Sequence, residues 1–148
     1  MRFKNWKRPK FDKRGMTEYL WMCKYPDKLK LGENTDIGEF CILIAKHGIN
    51  IGENTQIGGS CRLYSWNSIN DQKGAIHIGR DVLIGCNTTI MPNVGIRDGA
   101  EVYAHSFVRY NTTIEKDEIW AGIPAKRIGI RKDGKKIIFG EQDEDTAV

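Results

Sequence analysis

The sequence is poor in proline (4) and cysteine (4), and it has no long apolar run in its 148 residues. Its longest stretch of apolar residues, Cys41-Ile-Leu-Ile-Ala45, is far too short for a membrane-spanning helix. The four cysteines are irregularly spaced and none forms a CxxC pair, so they make neither a disulfide framework nor a zinc motif. A reducing, cytoplasmic setting is therefore expected. Met1 to Lys10 is basic with no apolar stretch behind it, so no secretory leader is expected there. Charged residues at 28% and hydrophobic residues at 40% argue against a disordered or fibrous chain. The length suits one domain with a modest core, one that self-association would help to stabilise.

The net charge of +4 is unevenly spread. Residues 1–30 carry ten Lys/Arg against three Asp/Glu, whereas residues 31–148 carry thirteen against sixteen. A basic arm of this kind could meet nucleic acid or an anionic membrane surface. The favoured reading is a solvated extension that packs through Phe3, Trp6, Phe11, Tyr19, Leu20 and Trp21, with no nucleic-acid partner. Within it, Thr17 to Cys23 is the one stretch with helical potential.

From Leu31 an aliphatic residue recurs every six positions, often followed by glycine. The row is Leu31, Ile37, Leu43, Ile51, Ile57 and Leu63, then Ile78, Ile84, Ile90, Ile96, Val102, Val108 and Ile114. A period of six fits neither an amphipathic helix nor a simple alternating strand. Two residues before each anchor stands a small or β-branched residue, as at Thr35, Cys41, Thr55, Cys61, Val82, Thr88, Val94, Ala100 and Ser106. Short extended segments joined by tight turns would point both rows inward, with glycine easing the turn. Three hexads close a triangular coil, and coils stack at about 4.8 Å. Cys41 and Cys61, one coil apart in the small-residue row, are expected to pack in the core.

This pattern resembles the hexapeptide-repeat acyltransferases over residues 31–128. Ile90-Met-Pro-Asn-Val94 is similar to the family's I-x-P-G-V coil. The segment from Ile114 through Trp120-Ala-Gly-Ile-Pro-Ala-Lys-Arg-Ile128 is similar to its closing segment. Ala45-Lys-His-Gly-Ile-Asn-Ile-Gly52, Cys61-Arg-Leu-Tyr-Ser65 and Asp71-Gln-Lys-Gly74 resemble the branch that modifies sugars and nucleotide-linked amino sugars. The resemblance implies an all-β fold: a left-handed parallel β-helix of about four coils. Its handedness runs against the usual right-handed crossover. The expected organisation is a basic extension over 1–30, the β-helix over 31–128 with a loop at 64–76 and a closing segment at 114–128, and a hairpin and acidic tail over 129–148.

The resemblance also implies transfer of an acetyl or other small acyl group from coenzyme A. Acetyl-CoA would be the co-substrate, no metal would be used, and sites would lie between the subunits of a homotrimer. Such chemistry needs a base, an oxyanion donor and a coenzyme groove. Histidine suits the base near neutral pH, and the chain has only His47, His77 and His105. His47 lies where two extra residues interrupt the repeat, and it precedes Ile51-Gly52 as the base histidine does in amino-sugar N-acetylating relatives. It is the leading catalytic candidate, although Lys46 and Gly48 flank it where those relatives have aspartates. His77, just before Ile78, is the second, since the loop at 64–76 lacks the histidine of galactoside and xenobiotic acetyltransferases. His105 and Ser106 fall where relatives line the pantetheine channel.

The anionic end of coenzyme A calls for cations, which Arg109, Lys116, Lys126 and Arg127 could supply, while Trp120 could stack on adenine or pack the coil end. Tyr64, Trp66, Asn67, Asn70 and Asp71 in and beside the loop are candidates to read the acceptor. The expected acceptor is a sugar or nucleotide-linked amino sugar, used in cell-surface polysaccharide synthesis. The alternatives are acetylation of an antibiotic or other small-molecule hydroxyl, and a non-enzymatic scaffold. A zinc hydratase on the same fold is disfavoured, because histidine intervals of 30 and 28 lack a close ligand pair.

Overall fold

The computed structural model describes residues 3–140. The chain winds into a parallel β-helix with three faces. The first face stacks Met22–Lys24, Ile42–Ile44, Arg62–Tyr64, Thr89–Ile90 and Phe107–Val108. The second stacks Leu29–Leu31, Ile49–Ile51, Ile76–Ile78, Gly95–Ile96 and Thr113–Ile114. The third stacks Asp36–Ile37, Gln56–Ile57, Leu83–Ile84, Glu101–Val102 and Glu118–Gly122. Ala125–Lys132 and Lys135–Ile138 then extend the third face as antiparallel strands.

Each face thus has five parallel rungs, one more than the repeat suggests. The extra coil starts at Met22, ahead of the first aliphatic anchor. Cys23 pairs with Leu43 and takes the anchor position, and Trp21 takes the small-residue position two before it. Trp21 is 2% exposed and meets Phe11 edge-on at 5.6 Å, so a large ring closes the open end of the core. The basic arm packs on this coil: Trp6 Nε1 donates to Thr35 O at 2.9 Å, and Arg8 donates to Leu31 O. Tyr19 and Leu20, expected to pack, remain exposed. Thr17 to Cys23 is not helical. The Thr17 N–H and Oγ1 both donate to Trp21 O, at 2.9 and 2.8 Å, which folds the chain into a tight reversal before the first strand.

Both inward rows are buried as the period requires. Leu43, Leu63, Ile90, Val108 and Ile114 are all 0% exposed, as are Ile49, Ile76 and Val82. The small row also satisfies corner carbonyls. Thr55 Oγ1 donates to Gly79 O at 2.7 Å, Cys41 Sγ to Gly58 O at 3.1 Å, and Cys61 Sγ to Gly85 O at 3.2 Å. Hydroxyl and thiol side chains therefore fill these inner corners and cap the carbonyls of Gly58, Gly79 and Gly85.

The glycine after each anchor has a different use from the expected one. At Gly52 and Gly58 the backbone is not left-handed. A Cβ at Gly52 would lie 2.5 Å from Gly79 C, and one at Gly58 would lie 2.6 Å from Cys86 N. These glycines let successive coils touch backbone to backbone. The left-handed turn residues come two positions later, at Asn34, Asn54, Asp81 and Asn87 among others.

Candidate functional site

The edge between the first and second faces carries most of the predicted acceptor residues. After Tyr64 the chain leaves the coil as a two-stranded ribbon, Trp66–Asn67 against Gln72–Lys73. Trp66 Nε1 donates to Asp71 Oδ1 at 3.1 Å, and Lys73 Nζ lies 3.6 Å from Asp71 Oδ2. The Trp66 indole N–H, Lys73 and Lys46 all favour the carboxylate and hold the Asp71 carboxyl below its usual value of 3.8. Asn67 Oδ1 accepts from Ile69 N at 3.2 Å and Asn70 Oδ1 from Gln72 N at 3.1 Å, so both amides shape the tip. Ile69, at that tip, is 93% exposed.

The His47 turn meets this ribbon. The His47 N–H donates to Ser65 Oγ at 3.0 Å, and Ser65 Oγ donates on to Ile44 O at 2.6 Å. Ser65 is fully buried, so the bulge is pinned while the His47 side chain stays exposed. Beside it, Lys46 Nζ stands 3.7 Å from the Trp66 ring centroid.

His77 projects outward from the second face. Its Nδ1 lies 2.8 Å from Asn50 Nδ2, the residue paired with it on the neighbouring rung. Asn50 was not among the residues picked out by the sequence. The available signal was positional: Asn50 and His77 each directly precede an Ile-Gly anchor, so they occupy one place in successive coils.

Apart from Arg109, the predicted coenzyme residues lie on other parts of the helix. His105, with φ +59°, turns the edge between the third and first faces. The adjacent Ser106 Oγ donates to Tyr103 O at 2.7 Å and accepts from Gly122 N at 3.2 Å. Arg109 is exposed on the first–second edge, and Lys116 is exposed on the second–third edge. Trp120 packs against the core while its Nε1 donates to Glu118 Oε1 at 3.2 Å. Glu118 also binds Arg127 at 3.2 Å, and the Arg127 guanidinium lies 5.1 Å from the Phe139 ring centroid. Lys126 is exposed on the same strand. One chain therefore does not gather the acceptor and coenzyme residues into one cleft. His105 lies on a different edge from His47 and His77, and among the described residues no group of His, Cys, Asp and Glu is placed to hold a metal ion.

Stacked parallel coils, paired inward rows, a projecting ribbon and an antiparallel closing hairpin define a β-helix of the hexapeptide-repeat class. No family model matches the chain. It is 46% identical over 67 residues to a probable macrolide acetyltransferase of Lysinibacillus sphaericus, a match covering 45% of this chain and 36% of that protein. It is 36% identical over 69 residues to a dTDP-4-amino-4,6-dideoxy-D-glucose acyltransferase of Escherichia coli, covering 47% and 34% respectively. The matches thus span about a third of the length of these curated relatives. Among solved structures, a hexapeptide-repeat acetyltransferase of Vibrio cholerae complexed with acetyl coenzyme A superposes with a TM-score of 0.71 at 25% identity, covering 76% of this chain and 66% of that one. Over these segments the chain is similar to acyltransferases, and its fold is that of the hexapeptide-repeat acetyltransferases.

Proposed function

We propose that this protein transfers an acetyl or other small acyl group from coenzyme A to a hydroxyl or amino group of a sugar or nucleotide-linked amino sugar. The observation that carries this reading is the meeting of the His47 turn and the acceptor ribbon at one edge, joined by the Lys46–Trp66 contact at 3.7 Å. His47 is exposed on a turn that meets the ribbon bearing Trp66, Asn67, Asn70 and Asp71, which supports a proton acceptor working beside groups suited to sugar hydroxyls. The relationship to a dTDP-amino-sugar acyltransferase supports the acceptor class.

The working enzyme is a homotrimer. Because the acceptor edge and the closing strand that bears Lys126 and Arg127 are apart in one chain, a site between neighbouring subunits joins the ribbon of one to that strand of the next. Those cations suit the phosphates of coenzyme A. The setting is cytoplasmic, and the modified sugar serves cell-surface polysaccharide synthesis. His47 takes the acceptor's proton as it attacks the thioester. In turnover with acetyl-CoA, His47→Ala is expected to lose at least roughly 100-fold. Near-wild-type turnover in that variant would overturn the assignment of His47.

A second reading is favoured by the 46% identity to the macrolide acetyltransferase: the acceptor is an antibiotic hydroxyl. Acetyl transfer to a macrolide, with none to an amino-sugar nucleotide, would select it.

A further inference from the structure

The second face differs from the other two in its outward column. On the first face that column includes Met22, Ile42 and Phe107, and on the third it includes Leu83. On the second it runs Lys30, Asn50, His77, Gly95, Thr113, with no apolar side chain. Two features of this column are unexplained by the fold. Asn50 Nδ2 reaches His77 Nδ1 at 2.8 Å. An amide nitrogen can only donate, so Nδ1 is the acceptor and the ring proton sits on Nε2. The rung next to His77 carries Gly95. Its backbone is not left-handed, and a Cβ there would meet nothing within 4 Å. Neither a turn nor crowding within the chain selects glycine, and glycine weakens a strand. A glycine in such a place marks close approach of something from outside the chain.

We infer that Asn50 is a positioning residue that fixes His77 in its Nε2–H tautomer, and that His77 is a neutral hydrogen-bond donor, not a base, over the notch at Gly95. A neutral imidazole held in this way can polarise a carbonyl. This rests on the acyl-transfer reading. In that reaction the acceptor oxygen or nitrogen attacks the thioester carbonyl carbon. A C–O or C–N bond forms, and the carbonyl π pair moves to oxygen, which His77 Nε2–H hydrogen-bonds. As the oxyanion collapses the C–S bond breaks. The acceptor's proton passes through His47 to the departing thiolate. Gly95 leaves the space in which the thioester carbonyl, or the neighbouring subunit that carries it, reaches the imidazole.

The test joins a tautomer measurement to two matched pairs of variants, all in the full chain. Long-range 15N–1H NMR of wild type is expected to show His77 as the Nε2–H form, and Asn50→Asp is expected to move the proton to Nδ1, since a carboxylate only accepts. Turnover is read as coenzyme A released from acetyl-CoA with dTDP-4-amino-4,6-dideoxyglucose as probe acceptor. His77→Ala is expected to lose roughly 100-fold or more, the cost of one oxyanion donor. His77→Gln keeps an N–H donor but cannot carry a proton, and is expected to lose less than about tenfold. Asn50→Asp is expected to fall with His77→Ala. Gly95→Val is expected to block turnover while the variant still melts at a higher temperature with acetyl-CoA. An Nδ1–H tautomer in wild type, equal losses in His77→Gln and His77→Ala, or full turnover in Asn50→Asp would overturn the inference. Wild type that neither binds nor turns over acetyl-CoA would instead sink the acyl-transfer reading, and the tautomer would still decide the Asn50–His77 geometry.

Discussion

Lys46 stands over the face of Trp66, its Nζ 3.7 Å from the ring centroid, and so ties the His47 turn to the projecting ribbon. Both partners are half-buried, which strengthens a cation–π contact relative to an exposed one. Trp66→Ala removes this tie and the donor to Asp71. The expected result is a raised KM for the acceptor, with acetyl-CoA still producing its thermal shift. Loss of both together would mean that the ribbon supports the whole helix.

The ribbon also has a defined pH response. Asp71 titrates below the ordinary value for an aspartate because the Trp66 N–H, Lys73 and Lys46 favour the carboxylate. A depressed carboxyl stabilises above its unfolded value and loses that contribution as pH falls through its folded value. The ribbon is therefore expected to be constant from neutral pH down to about 4 and to loosen only below it. The indole Nε1–H resonance of Trp66 checks this: it should hold its position down to that pH and move below it.

Thiol chemistry should separate surface from core. Cys86 is exposed, whereas Cys23, Cys41 and Cys61 are buried. Burial pushes the Cys23 thiol up to about 12, and the hydrogen bond to Cys61 together with burial raises Cys41. One thiol of the four should react quickly with a disulfide reagent in the native protein, and the other three only on unfolding. Cys86→Ser should abolish the fast phase.

Coil stacking sets the stability. Leu63 is fully buried in the central rung, paired with Leu43 on one side and Ile90 on the other. Leu63→Ala should cost about 2–5 kcal/mol in denaturant unfolding. Glu101 holds Arg131 at 2.7 Å and Lys136 at 3.0 Å, clamping the closing hairpin to the third face. With Arg131 only 28% exposed and Glu101 14%, Glu101→Ala should cost more than a surface pair, roughly 1–2 kcal/mol.

The β-helix was legible because period six puts two rows inward at once, and a single sequence displays both. The first rung of the first coil was not, because Trp21 and Cys23 hold the inward positions there in place of an aliphatic residue and its partner. Glycine after the anchor was legible as a requirement but not in its cause, since close approach between coils depends on the stacking itself. The His47 bulge was visible as an interruption of the period. Its pinning by Ser65 was not, because those residues stand 18 apart and meet only once coils stack. The Asn50–His77 contact spans 27 residues across the ribbon, whose length hides the shared register.

The activity proposed for this β-helix is coenzyme A-dependent acyl transfer. The most direct measurement is the melting temperature of the full chain with acetyl-CoA and, in parallel, with longer acyl-CoAs. A ligand that binds only the folded state at 100 times its Kd stabilises by about 2.7 kcal/mol, so a clear rise in Tm is predicted with at least one of them. An unchanged Tm with every acyl-CoA would contradict the account and leave the β-helix as a scaffold.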